Sequence, residues 1–173
     1  MRGHESPTLA IMKGLIMVQP KVHLLCGLNG GGKTTYARSL PGVRFSLDEW
    51  MLRLYGLPFD DPDYGRLAEA CKDVIWSAAT QVLTCGVDVV LDWNSWSRER
   101  RRTWRARAAA AGYVAVVHYL DVPVEVAVAR ALSRADKGSH VLTEADVRHL
   151  AALFEPPTAD EGMEIKIVMG LSG

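Results

Sequence analysis

Cysteine is scarce in this 173-residue chain, with Cys26, Cys71 and Cys85 as the whole complement. Their spacing matches neither a zinc-ligand pair nor the framework of a disulfide-dense secreted domain. They read as reduced packing residues of a cytoplasmic protein. Histidine is equally sparse, five residues without an H-E-x-x-H grouping, so no side-chain-built transition-metal site is expected. No apolar stretch approaches the roughly 20 residues that span a bilayer. The Leu15-Ile16-Met17-Val18 patch is too short for that and lacks the organisation of a signal peptide. Residues 1–20 read as a poorly ordered extension, with Met12 and Met17 as alternative starts. Net charge is absent too: 20 basic and 20 acidic side chains cancel. No global field therefore draws the chain to nucleic acid or to a membrane surface. With 49% apolar residues, positions 21–173 are expected to form one domain around its own core.

Glycine, by contrast, is concentrated where it carries chemistry. Gly27-Leu28-Asn29-Gly30-Gly31-Gly32-Lys33-Thr34 follows the apolar run Val22-His23-Leu24-Leu25-Cys26, which places a complete G-x-x-x-x-G-K-[ST] signature between a buried strand and a helix. Glycines let successive backbone N–H groups converge on phosphate oxygens with no side chain in the way. Lys33 supplies a point charge to the β- and γ-phosphates, and the Thr34 hydroxyl is suited to Mg²⁺. Together with Thr35 in the following helix, residues 27–34 form the expected site for ATP.

Strands and helices alternate along the remainder. Strands are predicted at 22–26, 43–47, 87–91, 113–120 and 165–169, and helices at 33–40, 49–55, 64–83, 97–111, 123–135 and 143–154. The pattern implies an α/β domain with a mainly parallel sheet and helices on both faces. In such sheets ligands bind beyond the carboxyl ends of the strands. The phosphate loop, Asp48 and Asp92 all leave strands at that edge.

Asp48 is suited to accept the proton of an acceptor hydroxyl and to orient it in line with the γ-phosphate, and equally suited to cap the helix that follows. Asp92 can hold Mg²⁺, contact the acceptor, or sit in a surface turn. The neighbouring Trp93 and Trp96 either wall the acceptor site or pack under the next helix. Of the arginines between 98 and 107, Arg98, Arg101, Arg102 and Arg105 share one helical side. Arg98 and Arg101, nearest the cleft, are the candidates to reach substrate. Arg130 and Arg134, also spaced i, i+4, are placed to stabilise charge on a transferring phosphoryl group if the polar stretch after them closes as a lid at about 134–143.

These motifs resemble those of the small P-loop kinases of the AAA_33 type, related to polynucleotide 5′-hydroxyl kinases, chloramphenicol phosphotransferase and the zeta-toxin kinases. The resemblance runs from Val22 to Val168 and includes the Gly27–Thr34 loop, Ser46-Leu47-Asp48, Val90-Leu91-Asp92, Tyr119-Leu120-Asp121-Val122-Pro123 and Phe154-Glu155-Pro156-Pro157. It implies a three-layer P-loop NTPase fold like that of nucleoside-monophosphate kinases, strand order 2-3-1-4-5, with a short lid. It also implies ATP and Mg²⁺ as cofactors, Asp48 as general base and Arg130 and Arg134 as lid-side arginines. Where polynucleotide kinases of this group carry D-x-T-N, this chain has Asp92-Trp93-Asn94-Ser95. That departure favours a small hydroxyl-bearing acceptor over nucleic acid, with a polynucleotide kinase or a slow nucleotide-binding regulator as the alternatives.

Overall fold

The computed structural model describes residues 19–57, 60–133 and 143–169. The expected N-terminal extension therefore lies almost wholly outside the described residues, as do Arg134 and nearly all of the expected lid. Strand β1 (Lys21–Gly27) leads through the glycine loop into helix α1 (Lys33–Ser39), followed by β2 (Val43–Ser46) and α2 (Leu47–Leu54). Next come α3 (Tyr64–Thr84), β3 (Val89–Asn94), α4 (Arg98–Ala110) and β4 (Val114–Asp121). The chain closes with α5 (Val124–Leu132), α6 (Glu144–Ala152), a 3₁₀ turn at Ala159–Glu161 and β5 (Glu164–Met169). The five strands are parallel and ordered β2-β3-β1-β4-β5. This is the three-layer arrangement and strand order that the resemblance implies.

Alternation along β1 divides the core between the two faces of the sheet. Val22, Leu24 and Cys26 join Leu91, Val117, Ile75 and Trp104 in the larger cluster beneath α3 and α4. Leu25 on the opposite face meets Ala37 of α1 and Val90 of β3. In α3 the buried stripe is Ala68, Cys71, Ile75, Ala79 and Leu83. Val74, three residues after Cys71, is exposed. The helix carries two adjacent apolar diagonals, and contact with the sheet selects one of them. Cys26 and Cys71 are buried packing residues as expected, whereas Cys85, just beyond α3, is exposed. No helix among the described residues is long and apolar enough to cross a membrane.

A chain of polar side chains, buried at His23 and His118 and half-buried at Tyr36 and Asp88, fastens α1 to the sheet. The Tyr36 hydroxyl lies 2.9 Å from His118 Nδ1, and His118 Nε2 lies 2.9 Å from His23 Nδ1. His23 Nε2 then lies 3.0 Å from Asp88 Oδ2. One unbroken sense of donation, from Tyr36 O–H through His118 and His23 to Asp88, satisfies every nitrogen with both imidazoles neutral. Burial raises the Asp88 carboxyl, but hydrogen bonds from His23 and the Lys21 N–H outweigh it and keep Asp88 below its usual range. Burial, and then the facing His23, hold His118 down to about 4.

The unfolded chain takes up a proton at His118 near pH 6.5, the ordinary value, whereas the folded chain takes it up only near 4. Stability that is complete above the first value is therefore lost progressively as pH falls toward the second. Denaturant midpoints should decline across that window, and the His118 ring signal in NMR should titrate near 4. A ring that titrates at its ordinary value would show that the buried chain does not hold in solution.

Candidate functional site

A cleft of about 530 Å³ opens at the carboxyl edge of the sheet. Six residues of the glycine loop line it: Leu28, Asn29, Gly30, Gly32, Lys33 and Thr34. Gly27 and Gly31 shape the loop without lining the cleft, and Thr35 is exposed on α1. Gly30 and Gly32 adopt φ of +87° and +89°, a region that side chains other than glycine rarely enter. Gly30 also has no room for one, because a Cβ there would stand 2.1 Å from the Ala127 carbonyl oxygen of α5. Lys33 Nζ donates to the carbonyls of Gly27 at 3.0 Å and Leu28 at 2.8 Å, which holds its charge over the loop.

Asp48 and Asp92 line the same cleft. The cap of α2 is Ser46, whose hydroxyl accepts from the Glu49 N–H at 3.4 Å. Asp48 is thus an exposed residue of the first helical turn and not the cap that the sequence also allowed. Asp92 lies within β3, because the strand runs on to Asn94. Pairing with β1 jumps from Leu24↔Leu91 to Leu25↔Asn94, which leaves Asp92 and Trp93 out of that ladder. On the other side Asp92 stays in register with Ser46 of β2. Its carboxylate, 6% exposed, accepts from Arg44 Nη1 at 2.6 Å. Burial raises the Asp92 pKa, and the Arg44 hydrogen bond opposes that rise without cancelling it. Arg44 reaches Glu49 as well. Sequence inspection passed over Arg44; the available signal was an arginine inside a strand, two residues before Ser46.

Trp93 and Trp96 both line the cleft, but Trp93 also packs into the core, its ring 4.9 Å from that of Trp104. Arg98 and Arg101, expected to reach substrate, are placed otherwise. Arg101 is 0% exposed, and its guanidinium meets both Glu161 carboxylate oxygens at 2.8 and 2.7 Å. It also donates to the carbonyls of Ser95 at 3.1 Å and Glu155 at 2.8 Å. Burial raises the Glu161 carboxyl, but the Arg101 hydrogen bonds, the bond from the Thr158 N–H and the charges of Arg101 and Arg98 together hold it below its usual range. Arg98 pairs at the surface with Asp160 at 2.6 Å. The α4 arginine that faces the cleft is Arg100, whose guanidinium lies 5.3 Å from the Trp96 ring centre. Arg130 is half-buried on α5 and is not among the lining residues, although its neighbours Ala131 and Leu132 are.

The far wall comes from α3, which contributes Tyr64, Glu69 and Lys72. Burial and then the Asp48 carboxylate push the Tyr64 phenol up to about 12, so it remains a hydrogen-bond donor at neutral pH. These three residues were missed because their apolar neighbours gave α3 only the signature of a core helix. Phe154 closes the opposite end and stacks on Tyr119 with ring centres 6.0 Å apart.

A family model described as an AAA domain, AAA_33, matches residues 22–157. The chain belongs to the AAA_33 family. Its glycine loop is accordingly that of a P-loop, ATP-binding, kinase-like domain. This AAA_33 chain is 27% identical over 129 residues to a protein of Autographa californica nuclear polyhedrosis virus named as a bifunctional polynucleotide kinase/RNA ligase. The match covers 66% of this chain and 18% of the viral protein. Among solved structures, a Pnkp1/Rnl/Hen1 complex superposes with TM-score 0.55 and 22% identity over 68% of this chain and 41% of that one. A sugar kinase from Janibacter sp. HTCC2649 superposes with TM-score 0.58 and 19% identity over 88% of this chain and 86% of that one. The AAA_33 chain thus spans less than half of the viral protein and of the matched chain of that complex, but most of the sugar kinase.

Removing one partner of a buried ion pair typically costs about 3–5 kcal/mol, because the other charge is left unpaired. Arg101→Met and Glu161→Gln should each lower the unfolding free energy, read from denaturant titration, by that order, and the double replacement by methionine should recover part of the loss. Arg98→Ala, at an exposed pair, should leave the midpoint where it is. Equal effects of Arg98 and Arg101 would contradict the division between them.

Proposed function

We propose that this AAA_33 domain transfers the γ-phosphoryl group of ATP to a hydroxyl of a small-molecule acceptor. The observation that carries the proposal is the convergence of Lys33, Thr34, Asp48 and Asp92 on one cleft. The P–O bond to ADP breaks, a P–O bond to the acceptor oxygen forms, and the acceptor proton passes to the Asp48 carboxylate. Lys33 fixes the β- and γ-phosphates over the loop and offsets their charge. Such a transfer relies mainly on positioning and charge stabilisation, which suits a site rich in fixed donors and poor in nucleophiles. Arg130 and Arg134 are the proposed sources of further positive charge from the lid side.

The donor set suits Mg²⁺: the Thr34 hydroxyl and the Asp92 carboxylate are hard oxygen groups lining one cleft. When bound with ATP, the ion would supply further neutralisation of the phosphate oxygens. Arg44 engages only Oδ2 of Asp92, which leaves Oδ1 for that role.

A polynucleotide 5′-hydroxyl kinase is the second reading, favoured by the likeness to the viral protein. Mg²⁺-dependent ADP release with a panel of hydroxyl compounds and 5′-hydroxyl oligonucleotides separates the two. One small compound should stimulate release, and Asp48→Ala should lower the stimulated rate roughly 10²–10⁴-fold, the usual contribution of a general base. ATP binding should survive that substitution. Stimulation by oligonucleotides alone, falling steeply with salt, would establish the second reading, and ATP binding without stimulation by any member would favour a nucleotide-dependent binding protein.

A further inference from the structure

We propose that the acceptor carries an anionic group, a carboxylate or a phosphate, in addition to its reacting hydroxyl, and that Lys72 and Arg100 receive that group beside Trp96. The proposal rests on the phosphotransferase assignment above and adds the chemical class of the acceptor.

Lys72 supplies the first observation. It lies on the cleft wall of α3 with its side chain only 7% exposed. An ammonium group has three N–H donors, and among the described residues Lys72 Nζ meets one acceptor, Glu69 Oε1 at 2.7 Å. Glu69 is itself 68% exposed on its side chain, so much of its charge is spent on solvent. A cation withdrawn from water with two donors to spare is costly unless a further acceptor arrives. The cleft is where that acceptor would enter.

Arg100 supplies the second, from a different helix. Most arginines of α4 are already engaged: Arg98 with Asp160, Arg101 with Glu161, Arg107 with Asp73, and Arg105 with the Glu161 carbonyl. Among the described residues Arg100 and Arg102 have no carboxylate partner, and of the two only Arg100 lines the cleft. Its guanidinium stands over the Trp96 ring, which orients the planar fork while leaving its N–H edges open to an anion. Neither cation belongs to the glycine loop, where Lys33 attends to the nucleotide phosphates.

The carboxylates of the same cleft complete the charge pattern. Asp92 is bound to Arg44, Glu69 to Lys72, and Asp48 stands where the proton is to be received. An anionic acceptor supplies an acceptor to the spare donors of Lys72 and to the Arg100 fork, and the tryptophan face covers its carbon skeleton.

The test is direct binding to the whole chain loaded with Mg²⁺ and a non-hydrolysable ATP analogue, read by calorimetry. The probes are matched pairs: hydroxymethylbenzoate and hydroxymethylbenzamide, glycerol phosphate and glycerol, a nucleoside 3′-phosphate and its nucleoside. At least one anionic member should bind about tenfold or more tightly than its neutral partner, the ratio given by roughly 1.4 kcal/mol. Arg100→Gln and Lys72→Met should each abolish that preference without changing affinity for the ATP analogue, and Lys72→Arg should restore part of it. A preference within the benzoate pair identifies a carboxylate acceptor. One within the glycerol pair identifies a phosphate, and one confined to the nucleoside pair identifies a nucleotide. If Lys72→Met fails to fold, Arg100→Gln decides alone. Equal binding within every pair, no binding by any probe, or a preference that survives Arg100→Gln overturns the proposal. Anion binding that is intact while no hydroxyl compound stimulates ADP release would instead overturn the phosphotransferase assignment and leave the anion site standing.

Discussion

The Arg101 guanidinium, withdrawn from water, ties α4 to four separate segments of this structure. Its ligands come from the turn after β3, from the segment beyond α6 and from the 3₁₀ turn before β5, with Cys26 of β1 at 3.6 Å beneath it. Arginine cannot shed its proton to escape burial, so those ligands must be held in place for the charge to be tolerated. The consequence reaches the cleft. With Arg101 fixed inward, Arg100, one residue and about 100° earlier around the helix, is carried outward over Trp96, and Glu155 is drawn in so that its N–H meets the Trp96 carbonyl. The Phe154-Glu155-Pro156-Pro157 segment, to which sequence alone assigns no chemistry, thereby acquires a structural role as part of the Arg101 cage.

The other wall is set by backbone. α5 approaches the phosphate loop so closely that only glycine fits at position 30, and this approach fixes the loop from the side of β4. From the side of β3, Asn94 Nδ2 donates to Asn29 Oδ1 at 3.3 Å. The break in β1–β3 pairing lies just before Asn94, at Asp92 and Trp93. A regular ladder would hold Asp92 against β1; freed from it, the residue can be clamped by Arg44 and still line the cleft. The irregularity and the arginine thus act together, one releasing the carboxylate and the other orienting it.

What was legible in the sequence was local. The glycine loop is a contiguous signature, Ser97 and Thr143 announce their helix starts by side-chain chemistry and do cap them, and the strand and helix periods sufficed for a parallel α/β sheet. Illegible features depend on residues far apart in the chain. Arg101 and Glu161 are sixty positions apart, and Asp88, His23, His118 and Tyr36 are drawn from two strands, a strand approach and a helix. Helical phase was the other obstacle. Arg98, Arg100 and Arg101 look equivalent in a basic run, yet one pairs at the surface, one faces the cleft and one is buried. Only the packing of α4 on the sheet separates them.

The same separation bears on which acceptor suits the cleft. A polynucleotide is held chiefly by a track of unpaired basic groups along its backbone, and the run from Arg98 to Arg107 looks like such a track when written out. In the fold it is largely spent: Asp160, Glu161 and Asp73 neutralise Arg98, Arg101 and Arg107. Among the described residues that line the cleft, Lys72 meets only Glu69 and Arg100 has no carboxylate partner, with the Trp96 ring beside it. A zero net charge and a concentrated local one belong together here. The proposed acceptor, a compact molecule with one negative group, one hydroxyl and some apolar surface, has a candidate partner for each at that cleft.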